Sequence, residues 1–336
     1  MVSSVAVVTG GAGFIGSHMV DLLLKKGFKV RVLDNLQSGR ISNLEHLNNN
    51  PDFVFEEIDI RNLSIDSSLF EKAKYVFHFA GIGDIVPPIE RPTEYMETNV
   101  QGTVRVLECA REAAVEKLVY AASSSCYGLA STPTREDHPI TPQYPYALSK
   151  YHGEQAVFHW HQVYGLPVNS IRIFNAYGTR VRTTGVYGAV FGVFLKQKLS
   201  GHPFTVVGDG NQRRDFIYVT DVTQGFFAAA ETEISGEIYN LGAGNPQSIN
   251  RLVELLGGEI VYVPKRPGEP DCTWADIGKI TTDLVWKPTV RFEEGVPMML
   301  VDIETWKDAP LWDPKSIEQA TKTWFQYMRN GKSNTK

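Results

Sequence analysis

The first forty residues alternate between apolar runs and polar breaks. Residues 5–9 form a short apolar run, and residues 17–26 carry apolar side chains at helical spacing. A second apolar run, over residues 30–33, ends on Asp34. The pattern therefore predicts a strand, a helix and a second strand that is followed by an acid.

The same alternation continues through the next hundred residues. Apolar runs at residues 53–59, 75–79 and 118–122 predict three more strands, and residues 93–114 and 146–164 predict long helices. Strands that alternate with helices favour a parallel, doubly wound sheet. We expect an α/β domain over residues 1–174, to which some later segments return, and a smaller α/β lobe over residues 175–336.

Three glycines separate the first strand from the first helix. Gly10, Gly13 and Gly16 are spaced G-x-x-G-x-x-G, which differs from the G-x-G-x-x-G of most dinucleotide-binding turns. Glycine adopts positive φ cheaply, leaves room for a diphosphate at a helix N-terminus and lets helix and strand pack closely. An acid after the second strand hydrogen-bonds a ribose diol and repels a 2′-phosphate, so Asp34 indicates NAD. The alternative is an ordinary turn with incidental glycines.

Later strands end on polar or small residues. Asp59 is either an acceptor for the adenine amino group or a surface charge, and the spacing does not choose between them. The strand over residues 75–79 runs into Ala80 and Gly81, which are small enough to admit a ligand at the sheet edge. His78 lies among apolar neighbours, so we predict a buried core histidine and not a catalyst.

Composition excludes several classes of function. The chain has 336 residues, 43% hydrophobic and 21% charged, with a formal net charge of -5, so it offers no bulk basic surface for nucleic acid. No apolar run approaches the ~20 residues of a membrane helix, and the N-terminus lacks the basic region of a signal peptide. Cys109, Cys126 and Cys272 form neither a metal motif nor a disulfide framework. We expect a cytoplasmic protein without metal.

A second group of candidate residues follows the fifth strand. Tyr146 and Lys150 are spaced to share one face of a helix, and Ser123 stands at the end of the preceding strand. A phenol is a poor base at neutral pH, but a nearby ammonium favours its phenolate and lowers its pKa. Ser, Tyr and Lys together form an acid/base set for carbinol–carbonyl chemistry beside a nicotinamide.

With these motifs, the chain resembles the extended short-chain dehydrogenase/reductases, and within them the nucleotide-sugar 4-epimerases of the UDP-glucose/galactose type. The resemblance runs from about residue 4 to residue 290. Its anchors are residues 9–16, 34–36, 78–81, 99–103, 123–128, 146–150, 172–178, 208–210, 214–219 and 266–269. It implies a Rossmann-type fold and tightly bound NAD.

The resemblance also implies a mechanism and a set of contacts. Tyr146 takes the proton of the sugar 4-hydroxyl, Lys150 holds the nicotinamide ribose, and Ser123 orients the 4-oxygen, so that C4 is inverted through a 4-keto sugar. The implied cofactor contacts are Gly10, Gly13, Phe14, Ile15, Gly16, Asp34, Asn35, Asp59, Ile60, Phe79, Ala80, Asn99, Tyr146 and Lys150.

The implied substrate contacts lie further along the chain. Asn175, Arg214 and Arg266 would bind the diphosphate, Glu269 the nucleotide ribose and Phe216 the base, with Ser124, Ser125 and Thr273 facing the sugar. For Arg214 the alternative is a local ion pair with Asp215. Residues 296–330 match no motif, and their aromatic residues suggest a C-terminal lobe over the cleft. We expect these residues to pack in a core and not to form a platform for the sugar. A homodimer through the helices near 94–114 and 146–164 is implied by the resemblance alone.

Three departures from the family pattern bear on the substrate. Ser124 and Ser125 stand where 4,6-dehydratases have an acid pair, which argues against that reaction. Gly83 and Asp84 stand where galactose epimerases have a sugar-contacting Lys, and an Asn near the diphosphate is missing from residues 186–189. Thr273, or Cys272 if the alignment slips by one, is small at the position that limits the sugar pocket. These departures leave open a sugar, and a nucleotide base, different from those of UDP-galactose. We expect a UDP-sugar whose hexose can carry an N-acetyl group.

Two other functions remain open. A decarboxylase, reductase or dehydrogenase acting on a related nucleotide sugar would use the same cofactor and the same three catalytic residues. A non-catalytic dinucleotide-binding regulator is a further possibility, although the complete Ser/Tyr/Lys set speaks against it.

Overall fold

The strands and helices are described here from a computed structural model that covers residues 4–84, 86–183, 190–265 and 269–330. The strands are β1 Val5–Thr9, β2 Lys29–Asp34, β3 Phe53–Glu57, β4 Ala73–His78, β5 Lys117–Ser123, β6 Val168–Ile173, β7 Asn175–Tyr177, β8 Phe204–Val207, β9 Arg213–Arg214, β10 Phe216–Tyr218, β11 Glu237–Leu241, β12 Gln247–Ser248 and β13 Ile260–Val263. The helices are α1 Phe14–Lys25, α2 Pro87–Glu90, α3 Pro92–Met96, α4 Gly102–Glu112, α5 Pro145–Tyr164, α6 Val190–Leu199, α7 Val219–Glu231, α8 Ile249–Leu256, α9 Gly278–Asp283, α10 Phe292–Val301 and α11 Pro314–Asn330.

A seven-stranded sheet with the order β3-β2-β1-β4-β5-β6-β11 is the centre of the molecule. Every neighbouring pair of its strands is parallel. The strand order reverses between β1 and β4, and a crevice for a ligand is expected at the carboxyl ends of those strands. The predicted Rossmann-type doubly wound fold is confirmed, and β11 shows a later segment of the chain returning to the sheet.

Helices cover both faces of the sheet. Helices α1 and α7 pack together on one face, over a core that includes Val8, Leu23 and Phe226. Helices α4 and α5 pack on the other face, over Phe70, Leu107 and other buried residues. The two faces explain why the central strands read as continuous apolar runs, since both sides of each strand are buried.

Local chemistry sets the ends of the helix that carries the candidate catalytic residues. Helix α5 begins with Pro145 in its first turn, where a missing N–H costs nothing. It ends at Gly165, whose φ of 71° is the left-handed conformation typical of a helix C-terminus. These two signals place Tyr146 in the first turn of a long, straight element.

The connections β2–β3 and β3–β4 contain 3₁₀ turns and no α-helix among the described residues. The structure corrects two details of the predicted elements. Strand β3 ends at Glu57, and Asp59 instead caps a 3₁₀ turn because its side chain accepts from the Arg61 N–H at 2.9 Å. The helix expected over residues 93–114 is divided, since residues 97–101 form a π-helical turn between α3 and α4.

The C-terminal half forms its own core beside the sheet. Aromatic residues dominate it: Phe191 stacks on Tyr177 at 4.7 Å between ring centroids, and Phe216 stacks on Phe292 at 5.2 Å. Trp306 is buried in the same cluster. The core packing expected for the aromatic residues of 296–330 is thus found at Trp306.

None of the helices formed by the described residues is both long and apolar enough to cross a membrane. The same part of the chain holds no group of three or more His, Cys, Asp or Glu side chains that could bind a metal ion.

Candidate active site

A cavity of about 590 Å³ opens at the carboxyl ends of β1, β4 and β5, where the strand order reverses. Its walls include the glycine turn after β1, the end of β2 and the first turn of α5. Every predicted cofactor residue except Asn99 lines it. The sheet therefore gathers residues from distant parts of the sequence into one cleft.

The glycine turn is shaped by close backbone contacts. Gly10 has φ of 71°, and a Cβ placed there would lie 2.6 Å from the backbone nitrogen of Ala80. A Cβ on Gly16 would overlap the carbonyl oxygen of Gly10. Gly13 precedes α1 and offers no side-chain cap, so the first N–H groups of that helix remain for another acceptor. This cradle fits a diphosphate, which binds such N–H groups.

Asp34 is a buried acid at the end of β2. Its carboxylate accepts hydrogen bonds from the N–H of Ala12 at 3.0 Å and of Leu36 at 2.8 Å. Burial raises the pKa of Asp34, while these two backbone bonds favour the charged form and oppose the rise. The backbone thus holds this carboxylate in one orientation at the cavity wall, as a ribose acceptor requires.

Asp59 and Asn35 meet at the same end of the cavity. Asp59 accepts from the Arg61 guanidinium at 2.6 Å and from the Asn35 amide at 2.9 Å. The hydrogen bonds from Arg61 are the main reason that the pKa of Asp59 falls to about 2. Asp59 therefore has a protein partner and also lines the cavity, so the structure is compatible with both interpretations of this residue.

Ser123, Tyr146 and Lys150 lie together in the cleft. Ser123 ends β5, and the two α5 residues are one helical turn apart, so all three side chains line the same cavity. The Ser123 side chain acts on the pKa of Tyr146 in the direction that favours its phenolate. The Ser123 hydroxyl also lies 2.8 Å from the Ser125 hydroxyl. The arrangement can hold an oxygen atom and exchange a proton with it.

Burial changes the acid/base properties of this group. The pKa of Tyr146 is raised, with desolvation as the largest cause, and burial lowers the pKa of Lys150 to about 7. Desolvation outweighs the opposing effect of Ser123, and the expectation that the lysine lowers the phenol pKa stays a prediction for the protein with NAD bound. The Lys150 ammonium lies 4.4 Å from the centre of the Tyr120 ring, which favours its cationic form.

Two polar residues behind the cleft are fully engaged by the protein. Asn99, on the π-helical turn, accepts from the Ile82 N–H at 2.9 Å and donates to the Ile82 carbonyl at 3.0 Å and to Ser149 at 2.9 Å. It does not line the cavity; instead it fixes the loop that does. His78 bonds Thr9 at 2.6 Å, and burial lowers its pKa to about 3. The prediction of a core histidine is confirmed.

The predicted diphosphate contacts separate in the structure. Asn175 lines the main cavity, and its carbonyl oxygen accepts from the Thr273 hydroxyl at 2.7 Å. Arg214 lines a smaller neighbouring pocket, where it forms an ion pair with Glu269 at 3.0 Å and donates to the Pro270 carbonyl at 2.9 Å. The alternative pairing of Arg214 with Asp215 is wrong. Arg266 lies outside the described residues.

Phe216 and the serine pair are also placed differently from the expectation. Phe216 is buried in the aromatic core of the C-terminal half and does not line the main cavity. Ser124 and Ser125 form the turn after β5, and Ser125 hydrogen-bonds Ser123 rather than facing the cavity. None of these three residues lines the main cavity.

The cavity also contains residues that the sequence did not single out. Asp84 accepts from the Tyr95 hydroxyl at 3.2 Å, and burial raises its pKa. Arg40 donates to the Val181 carbonyl at 3.1 Å, and Arg180 forms an ion pair with Asp21 at 2.7 Å. Further lining residues are Arg182, Trp306, Ala309, Pro310 and Trp312. Departure from a family lysine was the only signal for Asp84, and no local motif marks the arginines, which meet the cleft through tertiary folding.

Known proteins are similar to this chain over most of its length. The model of the NAD dependent epimerase/dehydratase family matches residues 6–242. A putative UDP-glucose 4-epimerase of Methanocaldococcus jannaschii is 36% identical over 299 residues, which cover 86% of this chain and 95% of that protein.

Two solved structures share the fold over almost their full length. The UDP-N-acetylglucosamine 4-epimerase of Methanobrevibacter ruminantium M1, in complex with UDP-N-acetylmuramic acid, has a TM-score of 0.84 and 30% identity over 91% of this chain and 98% of its own. The UDP-glucuronic acid 4-epimerase of Bacillus cereus, in complex with UDP-glucuronic acid and NAD, has a TM-score of 0.83 and 32% identity over 90% and 99%.

Proposed function

The chain belongs to the NAD-dependent epimerase/dehydratase family, and we propose that it inverts the configuration at C4 of the hexose in a nucleotide diphosphate sugar. The observation that carries this proposal is the convergence of Ser123, Tyr146 and Lys150 on the cavity that begins at the glycine turn. The reaction is an isomerisation through a 4-keto sugar, so no carbon is lost and no cofactor is consumed.

NAD is the cofactor of this family, and the cleft fits it. Gly10, Gly13 and Gly16 form the diphosphate cradle, and Asp34 is held as an acceptor for a ribose diol. When bound, NAD supplies the acceptor and donor of hydride. The lack of space for any Cβ at Gly10 or Gly16 supports retention of the cofactor by close backbone contact.

The chain's own residues handle the proton and the reacting oxygen. Tyr146 accepts the proton of the 4-hydroxyl and later returns it, and Ser123 donates a hydrogen bond to the same oxygen. Lys150 is placed to bind the nicotinamide ribose and to stabilise the phenolate by its charge. Because burial raises the pKa of Tyr146, the positive charge of the bound cofactor is needed to make the phenol a base at neutral pH.

The proposed sugar contacts favour epimerisation of a UDP-hexose without elimination of water. They also leave room for an N-acetyl group on the hexose. Ser124 and Ser125 supply no carboxyl group for eliminating water. Thr273 is small, and its hydroxyl is already bonded to Asn175, so it leaves room beside the diphosphate. We further propose that Arg214, Glu269 and Arg266 contact the nucleotide diphosphate when the substrate is bound.

We propose that the protein works as a cytoplasmic homodimer. The dimer would pair α4 and α5 of each subunit, and analytical ultracentrifugation of the purified protein tests it: a monomer at micromolar concentration contradicts the assignment. Support for the cytoplasm comes from the cysteines. Cys109 and Cys126 are buried free thiols and Cys272 is a half-buried one, which suits a reducing compartment.

The decisive experiment uses purified protein without added cofactor. We would supply UDP-glucose, UDP-N-acetylglucosamine, UDP-glucuronate and GDP- and CDP-sugars, and follow the sugar H4 signal by NMR in D₂O. A new C4 epimer that retains its C4 hydrogen is expected, because hydride returns internally to the same carbon.

A matched pair of variants identifies the base. Tyr146→Phe should reduce the rate by at least about 100-fold, the scale of a lost general base, while Tyr151→Phe on the same helix should not. NADH accumulation or loss of carbon dioxide would move the assignment to a dehydrogenase or decarboxylase. Full activity of Tyr146→Phe would mean that another group is the base, and binding of NAD without any turnover would point to a regulator.

A further inference from the structure

A buried ion pair lies one helical turn beyond the catalytic lysine. Glu154 follows Lys150 on α5, and its side chain is 1% exposed, while that of Arg172 on β6 is 3% exposed. The Arg172 Nη2 lies 2.6 Å from Glu154 Oε2, and its Nε lies 3.1 Å from both carboxylate oxygens. The pair is therefore bidentate and fully removed from water.

Stability alone does not account for this pair. A buried ion pair contributes little net free energy of folding compared with apolar side chains of the same volume, because both charges must be desolvated. Ser170 adds a further hydrogen bond to Glu154 Oε1 at 2.7 Å. The chain thus holds the Glu154 carboxylate at a specific point in the interior, with Arg172 as its counter-ion.

The pair connects the three elements that carry the active site. Helix α5 carries Tyr146 and Lys150, and β6 leads directly to Asn175 at the cavity wall. The turn after Ser123 contributes Tyr127, whose hydroxyl accepts from Arg172 Nη1 at 2.8 Å. A change in the ion pair would therefore alter the positions of all three elements.

Lys150 sits in surroundings that disfavour its charge. Burial lowers its pKa to about 7, and the negative charge of Glu154 acts in the opposite direction. The titratable groups that face it are Tyr146 and Glu154 from α5, Tyr120 from β5 and His78 from β4. Tyr120 and His78 are neutral at pH 7, since burial raises the pKa of the phenol and lowers that of the imidazole.

We propose that Glu154 is a positioning residue for the reaction, whose carboxylate, anchored by Arg172, keeps Lys150 positively charged beside the cofactor site. This inference rests on the proposed catalytic role of Lys150. It assigns the ion pair to catalysis: Arg172 holds the carboxylate, Glu154 supports the ammonium, and the ammonium supports the Tyr146 phenolate.

The test replaces the pair by uncharged side chains of similar volume. In Glu154→Met/Arg172→Met, the fold should be kept, because an apolar pair avoids leaving one buried charge alone. The titration midpoint of Lys150, read from the ¹³Cε signal of labelled lysine and assigned with Lys150→Met, should move to lower pH. The turnover number near neutral pH should fall about fivefold for a pKa change from about 7 to about 6, with KM unchanged.

Arg172→Lys provides the matched control, since it keeps both charges and loses only the bidentate geometry. It should lower the melting temperature while leaving the Lys150 midpoint in place. If the double variant does not fold, Glu154→Gln/Arg172→Met tests the same point, because it removes both charges and retains the hydrogen bond from Ser170.

The outcomes separate this inference from the proposed function. An unchanged Lys150 midpoint in a folded variant without the Glu154 charge overturns the inference, whatever the enzyme catalyses. A midpoint that moves to lower pH in a protein that epimerises no sugar supports the electrostatic role and rejects only the assigned reaction. A lower midpoint together with a lower turnover number supports both.

Discussion

The cofactor half and the substrate half of the cleft differ in whether backbone or side chains form the binding surface. In the cofactor half the decisive surface is backbone, because Gly10 and Gly16 leave no room for a Cβ and the first N–H groups of α1 face the ligand site. In the substrate half the expected contacts are long side chains. Arg214 and Glu269 bind each other, and Phe216 is buried in the core.

The difference is one of preorganisation. A backbone turn keeps its N–H groups in place without a ligand, so binding there costs little ordering. Arg214 must exchange a carboxylate for a phosphate before it contributes to substrate binding, and both states offer it a charged hydrogen-bond partner. Substitutions in the cofactor half should therefore abolish ligand binding almost completely. Substitutions in the substrate half should each weaken binding by a limited amount.

The largest expected effect is at Gly16. In Gly16→Ala the new Cβ overlaps the Gly10 carbonyl, so the turn must open and the diphosphate cradle is lost. We expect purified protein without bound NAD and an affinity for added NAD lowered by more than about 100-fold, measured by calorimetry.

Gly278→Ala is the control for a glycine near a helix start. Its Cβ would approach only the end of the Asp276 side chain, which can move. Normal NAD content in Gly16→Ala would contradict the preorganised cradle.

Phe216 distinguishes a core residue from a base-binding one. It is 6% exposed, stacks on Phe292 at 5.2 Å between ring centroids, and lies in the aromatic cluster of the C-terminal half. Phe216→Ala should lower the free energy of unfolding by about 3–5 kcal/mol, as measured by urea denaturation, and leave the KM for the nucleotide sugar nearly unchanged. Tyr262→Ala, at a side chain 60% exposed, should have little effect on stability. A higher KM for the nucleotide sugar at wild-type stability would instead support a role for Phe216 in binding the nucleotide base.

Arg214 tests whether the substrate half rearranges. If its guanidinium leaves Glu269 for the diphosphate, Arg214→Ala should raise KM by about 10–100-fold with turnover nearly constant, as expected for a lost charge-assisted hydrogen bond. Arg213→Ala is the control, since Arg213 donates to the Pro246 carbonyl and has no place in the proposed site. A lower melting temperature at unchanged KM would show that Arg214 serves the fold alone.

The cofactor half could be predicted from the sequence because its signals are local. Strand, turn and helix are contiguous, so the spacing of Gly10, Gly13 and Gly16 already encodes the geometry, and Asp34 follows from the end of the next strand. Tyr146 and Lys150 share a helix face for the same reason. Asn99 shows the limit of prediction from local sequence. The sequence indicated that Asn99 is important, but its hydrogen-bond partners, Ile82 and Ser149, lie on other elements.

The substrate half could be predicted only in outline. Its residues come from loops whose meeting depends on tertiary folding, so nothing local indicates that Arg214 pairs with Glu269, or that Arg40, Arg180 and Asp84 line the cleft. Helix continuity was also overestimated. The hydrophobic pattern over residues 93–114 predicted one helix and did not reveal the π-helical turn that divides it.

The smallest expected effect is at Asp84, which lines the part of the cleft nearest Tyr146. The charge of its carboxylate raises the pKa of Tyr146, in addition to the larger effect of burial. Asp84→Asn removes that charge and keeps the shape, so the pKa of Tyr146 should fall and a larger fraction of the phenol should be ionised at any given pH. The absorbance difference between each holoenzyme and its Tyr146→Phe counterpart measures the ionisation midpoint, which should move to lower pH by less than about one unit.

Glu94→Gln serves as the matched control for Asp84→Asn, because Glu94 is a nearby carboxylate on α3 that pairs with Arg91 at 2.8 Å and does not line the cleft. It should leave the Tyr146 midpoint in place. An unmoved midpoint in Asp84→Asn would mean that the cleft already neutralises Asp84, through Arg182 or through protonation favoured by burial. The charges in the substrate half would then already be neutralised without the sugar. That half would also be preorganised, and it would differ less from the cofactor half.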